Sequence, residues 1–209
     1  MGRPNWLECL FWLNVEMTRA DFHAVLDFWF GTPGTPEYGK SREAWFKKSD
    51  AFDEAIRARF LDLCRQAADG RLQAWQAAPD SLLALILVFD QFPRNLFRGS
   101  GLAFATDRQA LAGAQLAVER GFDRALAPVQ RWFAYLPFEH AEDLAMQRRC
   151  LELFETLRCD PGSIGSIDYA RRHFEIIRRF GRFPHRNAAL GRVSTPEEIE
   201  FLRQPGSGF

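Results

Sequence analysis

Two short motifs in this chain set out the same chemistry after an apolar helical run: Gln91-Phe92-Pro93-Arg94-Asn95 and Arg182-Phe183-Pro184-His185-Arg186-Asn187. In each, an aromatic anchor is followed by a proline, which lacks a backbone donor and fixes φ, so a helix is expected to end there. An arginine and an asparagine then stand where the chain leaves the helix. Planar guanidinium groups grip carboxylates and phosphates through paired hydrogen bonds. Two such corners facing one space would make a pocket for a small anionic molecule. The candidate binding residues are Asp90, Arg94, Asn95 and Arg98 from the first corner, Glu139 and His140 from the middle of the chain, and Arg182, His185, Arg186 and Asn187 from the second corner.

Asp90 is expected at the C-terminal end of the central apolar helix, where the helix dipole and a low dielectric both disfavour a carboxylate. It therefore needs a cationic partner, and Arg94, Arg98 and Arg186 are the candidates. Such a pair serves equally as a structural tie that fixes the corner or as part of a ligand site. The segment Leu136-Pro137-Phe138-Glu139-His140-Ala141-Glu142-Asp143 lies at another helix boundary. An imidazole flanked by carboxylates suits general acid/base work, so His140 and His185 are the candidate catalytic residues. The plainer reading is that Glu142 and Asp143 favour the first turn of the next helix. With His23 and His173 as the other histidines and no HExxH-type spacing, neither a metal site nor a cofactor is expected.

Charge narrows the classes of partner. Lys+Arg and Asp+Glu both number 27, so no global field draws in nucleic acid or an anionic membrane. Between residues 171 and 192 seven arginines (Arg171, Arg172, Arg178, Arg179, Arg182, Arg186, Arg192) face the single acid Glu175. That run is a local anion patch unless the acidic segments Glu139 to Asp143 and Glu197 to Glu200 absorb it. Nucleic acid is not expected as a partner, since RNA-binding sheet motifs and zinc motifs are absent. Cys9, Cys64, Cys150 and Cys159 show no CxxC spacing and read as reduced thiols of a cytoplasmic protein.

The elements that must position these residues are helices. Of the 209 residues 47% are hydrophobic, including 20 Phe and 6 Trp, enough for a sizeable core. Met1 to Glu16 is too short for a span and lacks a cleavage site, so it reads as an extension that need not be native, with no membrane segment. Thr18 is a plausible helix cap just after Met17. A single domain over residues 17–203 and a tail over 204–209 are expected. Ser49 caps a helix carrying Phe52, Ile56, Phe60, Leu63 and Ala67 at the 3.6-residue period, ending near Gly70. A short helix near Leu72 to Trp75 precedes the run Leu82 to Phe89, which is apolar on all faces and belongs at the centre. Further helices are expected over 106–119, 128–135, 142–157 and 167–177, and after Ser194-Thr195-Pro196, where caps, proline and acids mark a start. The sum is an all-α array of about nine helices joined as antiparallel hairpins. The aromatic groups Phe28-Trp29-Phe30-Gly31 and Trp45-Phe46 read as core, with a pocket wall as the alternative.

Taken in order, Phe28-Trp29-Phe30-Gly31, Asp90-Gln91-Phe92-Pro93-Arg94-Asn95 with Arg98, Leu136-Pro137-Phe138-Glu139-His140, and Phe180-Gly181-Arg182-Phe183-Pro184-His185-Arg186-Asn187, continued by Leu190-Gly191-Arg192 and Ser194-Thr195, resemble the bacterial domain-of-unknown-function family 924. The resemblance runs from about Thr18 through the last helix. It implies an all-helical fold of the tetratricopeptide-like superfamily and no established activity, although no 34-residue period is legible in this chain. Ala141 stands where serine is common in the family, so no hydroxyl role is carried over to that helix start. Two functions follow as expectations. Residue chemistry favours an anion pocket with His140 or His185 moving protons, whereas the fold analogy favours a module that takes a protein or peptide partner.

Overall fold

The computed structural model describes residues 22–208; the expected cap Thr18, the extension up to Glu16 and Cys9 lie outside them. Among the described residues there are eight α-helices, six short 3₁₀ helices and no strand. They are α1 (22–30), α2 (Asp50–Ala68), α3 (Pro79–Leu96), α4 (Asp107–Glu119), α5 (Pro128–Glu139), α6 (Leu144–Glu155), α7 (Ile164–Phe180) and α8 (Pro196–Leu202). The ninth helix expected near Leu72 is a 3₁₀ turn, Gln73–Ala77, too short to close an α-helical ladder.

Sequence signals account for most boundaries. Ser49 accepts a hydrogen bond from the Phe52 amide and starts α2. Asp143 does the same for Ala145 and Met146 at α6, so it is the cap itself rather than a first-turn acid. Thr195 and Glu198 form a reciprocal capping box at α8. Gly181, with φ of 71°, supplies the left-handed turn that closes α7.

Helix α3 is the axis of the molecule. From Leu82 to Phe92 every side chain is buried, and α2, α4 and α5 pack around it. Gly113 lets α4 approach closely, since a Cβ there would stand 3.2 Å from Cγ1 of Ile86. An aromatic cluster fills the side toward α1, with Trp29 against Trp45, Phe92 and Phe133 at ring-centre distances of 5.4–6.0 Å. These rings are core, not a pocket wall, whereas Phe46, expected in the core with them, is exposed. Helices α6 and α7 pack against each other and against α5, and a smaller cluster of Ile176, Ile177 and Phe183 seats the second Phe-Pro corner.

The first Phe-Pro corner does not end its helix. Helix α3 continues to Leu96 with Pro93 inside it, so Asp90 lies in the helix interior. The missing Pro93 donor would leave the Phe89 carbonyl without its i+4 partner. Instead the Thr106 hydroxyl donates to that oxygen at 2.6 Å. The second corner behaves differently: α7 stops at Phe180, and Pro184–Arg186 forms a separate 3₁₀ turn.

Candidate functional site

The two corners meet. Arg94, on α3, and Arg186, on the second corner, both reach Asp107 at the start of α4, with Nη1 of Arg94 2.8 Å from Oδ1 and Nη1 of Arg186 3.2 Å from Oδ2. Asp107 thus bridges residues whose sequence positions are far apart. The Arg186 guanidinium is clamped between aromatic rings, its central carbon 4.5 Å from the centre of Phe183 and 4.7 Å from that of Phe104. It is 5% exposed, and burial together with the nearby charge of Arg94 brings its pKa down to about 10. Hydrogen bonds do not saturate these cations. Nη2 of Arg94 and Nε of Arg186 are buried donors without a hydrogen-bond partner.

Asp90 is buried at 1% exposure and lies 3.2 Å from Nη1 of Arg94. Its Oδ1 also meets Nδ1 of His140 at 2.8 Å, and its Oδ2 accepts from the Gln91 amide at 2.6 Å. Burial alone would raise this carboxyl. Arg94, His140 and Gln91 outweigh it and hold the group well below the usual carboxylate range. The expected cationic partner is therefore Arg94, while the reason it is needed is burial rather than a helix terminus.

A second carboxyl–imidazole contact lies beside the first. Glu139 Oε1 is 3.2 Å from Nδ1 of His173, which also donates to the Tyr169 carbonyl at 2.9 Å. Burial, reinforced by the charge of Asp90, pushes Glu139 up to about 8, and burial brings His173 down to about 3. At neutral pH this contact brings together a neutral carboxyl and a neutral imidazole rather than an ion pair. His140 and His173 stand 6.3 Å apart, ring centre to ring centre. Burial and Arg94 lower the pKa of His140 against the pull of Asp90, and burial with Arg186 brings His185 to about 4. The cluster thus holds neutral imidazoles beside two arginines.

Other expected site residues serve elsewhere. Arg98 grips Asp53 through Nε at 2.6 Å and Nη2 at 2.9 Å, and its Nη2 donates to Asn95 Oδ1, tying α3 to α2. Arg182 makes a two-point contact with Glu198, which also accepts from Asn187. These residues fasten the last helix to the second corner. The basic run is largely absorbed: Arg171 pairs with Asp168, Arg178 with Glu175, Arg179 with Glu197 and Arg192 with Glu142. Asp107, His173 and Phe104 joined the cluster without having been expected there. Only His173 carried a signal, since it shares the buried face of α7 with Ala170 and Ile177. A groove of about 440 Å³ is lined by Leu72, Leu85, Phe89, Gly113 and Leu116, and Asp90, Arg94, Asp107, His140 and Arg186 are not among the residues that line it.

The residues of both corners fall inside a match to the family described as bacterial protein of unknown function (DUF924), over residues 25–206. The chain belongs to that family. A solved structure of a protein of unknown function from Agrobacterium tumefaciens is similar to it at 41% identity, with a TM-score of 0.79, covering 88% of this chain and 98% of that one. Curated proteins give no match. No described helix is long and apolar enough to cross a membrane.

Proposed function

We propose that this member of the family binds a small anionic molecule against Arg94 and Arg186. The observation that carries this reading is the pair of buried guanidinium donors, Nη2 of Arg94 and Nε of Arg186, that lack hydrogen-bond partners beside a shared Asp107. Leaving such donors unsatisfied costs on the order of 1–3 kcal/mol each, and an oxyanion would recover that cost. Asp107 is part-exposed and marks the side from which an anion would enter. Neutral His140 adds hydrogen-bonding capacity without repelling a partner. The test is a thermal-shift screen of phosphates and carboxylates against the wild type and Arg186→Gln; a shift seen with both proteins for every anion would sink the reading.

A second reading rests on the apolar groove beside α3, between α2 and α4. Helices that pack neighbour on neighbour, α2 on α3, α3 on α4, α4 on α5, α5 on α6 and α6 on α7, are compatible with a tetratricopeptide-like array that takes a peptide in such a groove. Recovery of one specific partner, lost on Ala112→Glu at an exposed position lining the groove and kept on Arg186→Gln, would favour it. We further propose that residues 17–203 act as one domain in the cytoplasm, where the thiols of Cys64, Cys150 and Cys159 would stay reduced.

A further inference from the structure

The contacts of His140 define its two ring nitrogens unequally. Nδ1 faces Oδ1 of Asp90 at 2.8 Å, whereas Nε2 makes no hydrogen bond among the described residues. Asp90 is itself fixed by Gln91 and Arg94 and is ionised, so it acts as an acceptor only. The proton of a neutral imidazole is then on Nδ1, and the lone pair is on Nε2. The ring keeps 14% of its side-chain surface in contact with solvent, so it is shielded but not sealed.

We propose that His140 is a proton acceptor acting through Nε2, with Asp90 as its positioning residue, on a small oxyanion-bearing substrate held by Arg94 and Arg186. The idea rests on the anion-site reading above. In the step, the O–H bond of a substrate hydroxyl or of a water molecule breaks, its proton bonds to the Nε2 lone pair and its electron pair stays on oxygen as an alkoxide or hydroxide; the Nδ1 proton stays on Nδ1. The imidazolium so formed is stabilised by the Asp90 carboxylate. No oxidant or co-reactant is needed beyond that substrate or water.

Several charged or titratable groups face or adjoin this ring: Asp90 and Arg94 from α3, His173 from α7, His185 and Arg186 from the second corner, and Glu139 on its own helix. Burial and the two arginines favour the neutral ring, which leaves the base free to act near pH 7. Asp90 opposes them. The neighbouring carboxyls carry opposite assignments, Asp90 ionised and Glu139 protonated, a division of environments that recurs where acid and base roles are separated.

The experiment is nitrogen NMR on histidine-labelled wild-type protein at pH 7, with and without saturating inorganic phosphate, beside a melting curve under both conditions. The His140 signal is assigned by its loss in His140→Gln. The expected result is Nδ1 protonated and Nε2 bare in the free protein, with phosphate raising the melting point and moving the Nε2 signal toward the protonated form. In Asp90→Asn, shown folded by circular dichroism, the amide donates to Nδ1 and the proton moves to Nε2. An Nε2-protonated ring or an imidazolium in the free wild type overturns the inference without recourse to any variant. A melting shift with an unmoved Nε2 signal overturns it and leaves the anion site standing. No melting shift with phosphate or with carboxylates such as citrate removes the anion site and this inference together.

Discussion

Asp90 shows how one buried charge can organise a neighbourhood. Taking a carboxylate out of water is costly unless its lone pairs are filled, and here Gln91, His140 and Arg94 fill them. Removing the carboxylate leaves Arg94 with Asp107 as its one carboxylate partner and takes the acceptor from Gln91 and His140 in the same dry space. Asp90→Ala should therefore cost about 3 kcal/mol in urea unfolding, against under about 0.5 kcal/mol for the exposed Glu119→Ala. Glu139 is the opposite case, a carboxyl that folds in its neutral form. Its folded pKa, about 8, lies above its ordinary value of 4.5, so the unfolded chain gives up this proton first as pH rises. Stability from this group is complete below about pH 4.5 and drains away up to about pH 8. The histidines act in reverse: His173 and His185, lowered from 6.5 to about 3 and about 4, lose stability as pH falls below 6.5. Melting temperature should peak near pH 6.5, and Glu139→Gln should flatten the alkaline limb while leaving the acid limb in place.

At the scale of elements, two helices carry an internal proline, Pro93 in α3 and Pro137 in α5, and the first shapes the site. Pro93 would ordinarily waste the Phe89 carbonyl, and the Thr106 hydroxyl from the start of α4 takes it. That bond also sets Asp107, the next residue, against Arg94 and Arg186. Thr106→Val should cost about 1 kcal/mol, and Pro93→Ala should recover part of it by restoring the i+4 donor, a coupling that a double-mutant cycle will measure. Much of the element pattern was legible beforehand. The caps Ser49 and Thr195 and the all-round apolar run of α3 follow from local chemistry, whereas Asp143, which reads as a first-turn acid, is the cap of α6, and the Gly181 stop emerged with the fold. The continuation of α3 past Pro93 was not legible, because the compensating donor comes from a different helix. Asp107 stayed hidden for the same reason. An acid in the first turn of a helix reads as a dipole effect, and only the folded chain brings both arginines to it. Conversely, Arg98, Arg182 and Asn187 looked like site residues by their motifs, yet they fasten helices through Asp53 and Glu198.

For the whole molecule, equal numbers of positive and negative side chains and a basic run paired with acids leave little long-range field. Binding to duplex DNA should be undetectable at physiological salt in a fluorescence-anisotropy titration. What the fold concentrates instead is a small polar interior, built where α3, α4, α5 and the second corner converge on Asp90 and Asp107. The central claim is that Arg94 and Arg186 hold an anion there. It is tested most directly by the melting temperature in saturating phosphate or carboxylate, compared between the wild type and Arg186→Gln. A ligand at about 100 times its Kd adds about 2.7 kcal/mol, which for a chain of this size corresponds to a rise of roughly 5–10 °C. The account predicts that rise for at least one anion in the wild type and its loss in a folded Arg186→Gln protein. Equal rises in both proteins, or none with any anion, would contradict it.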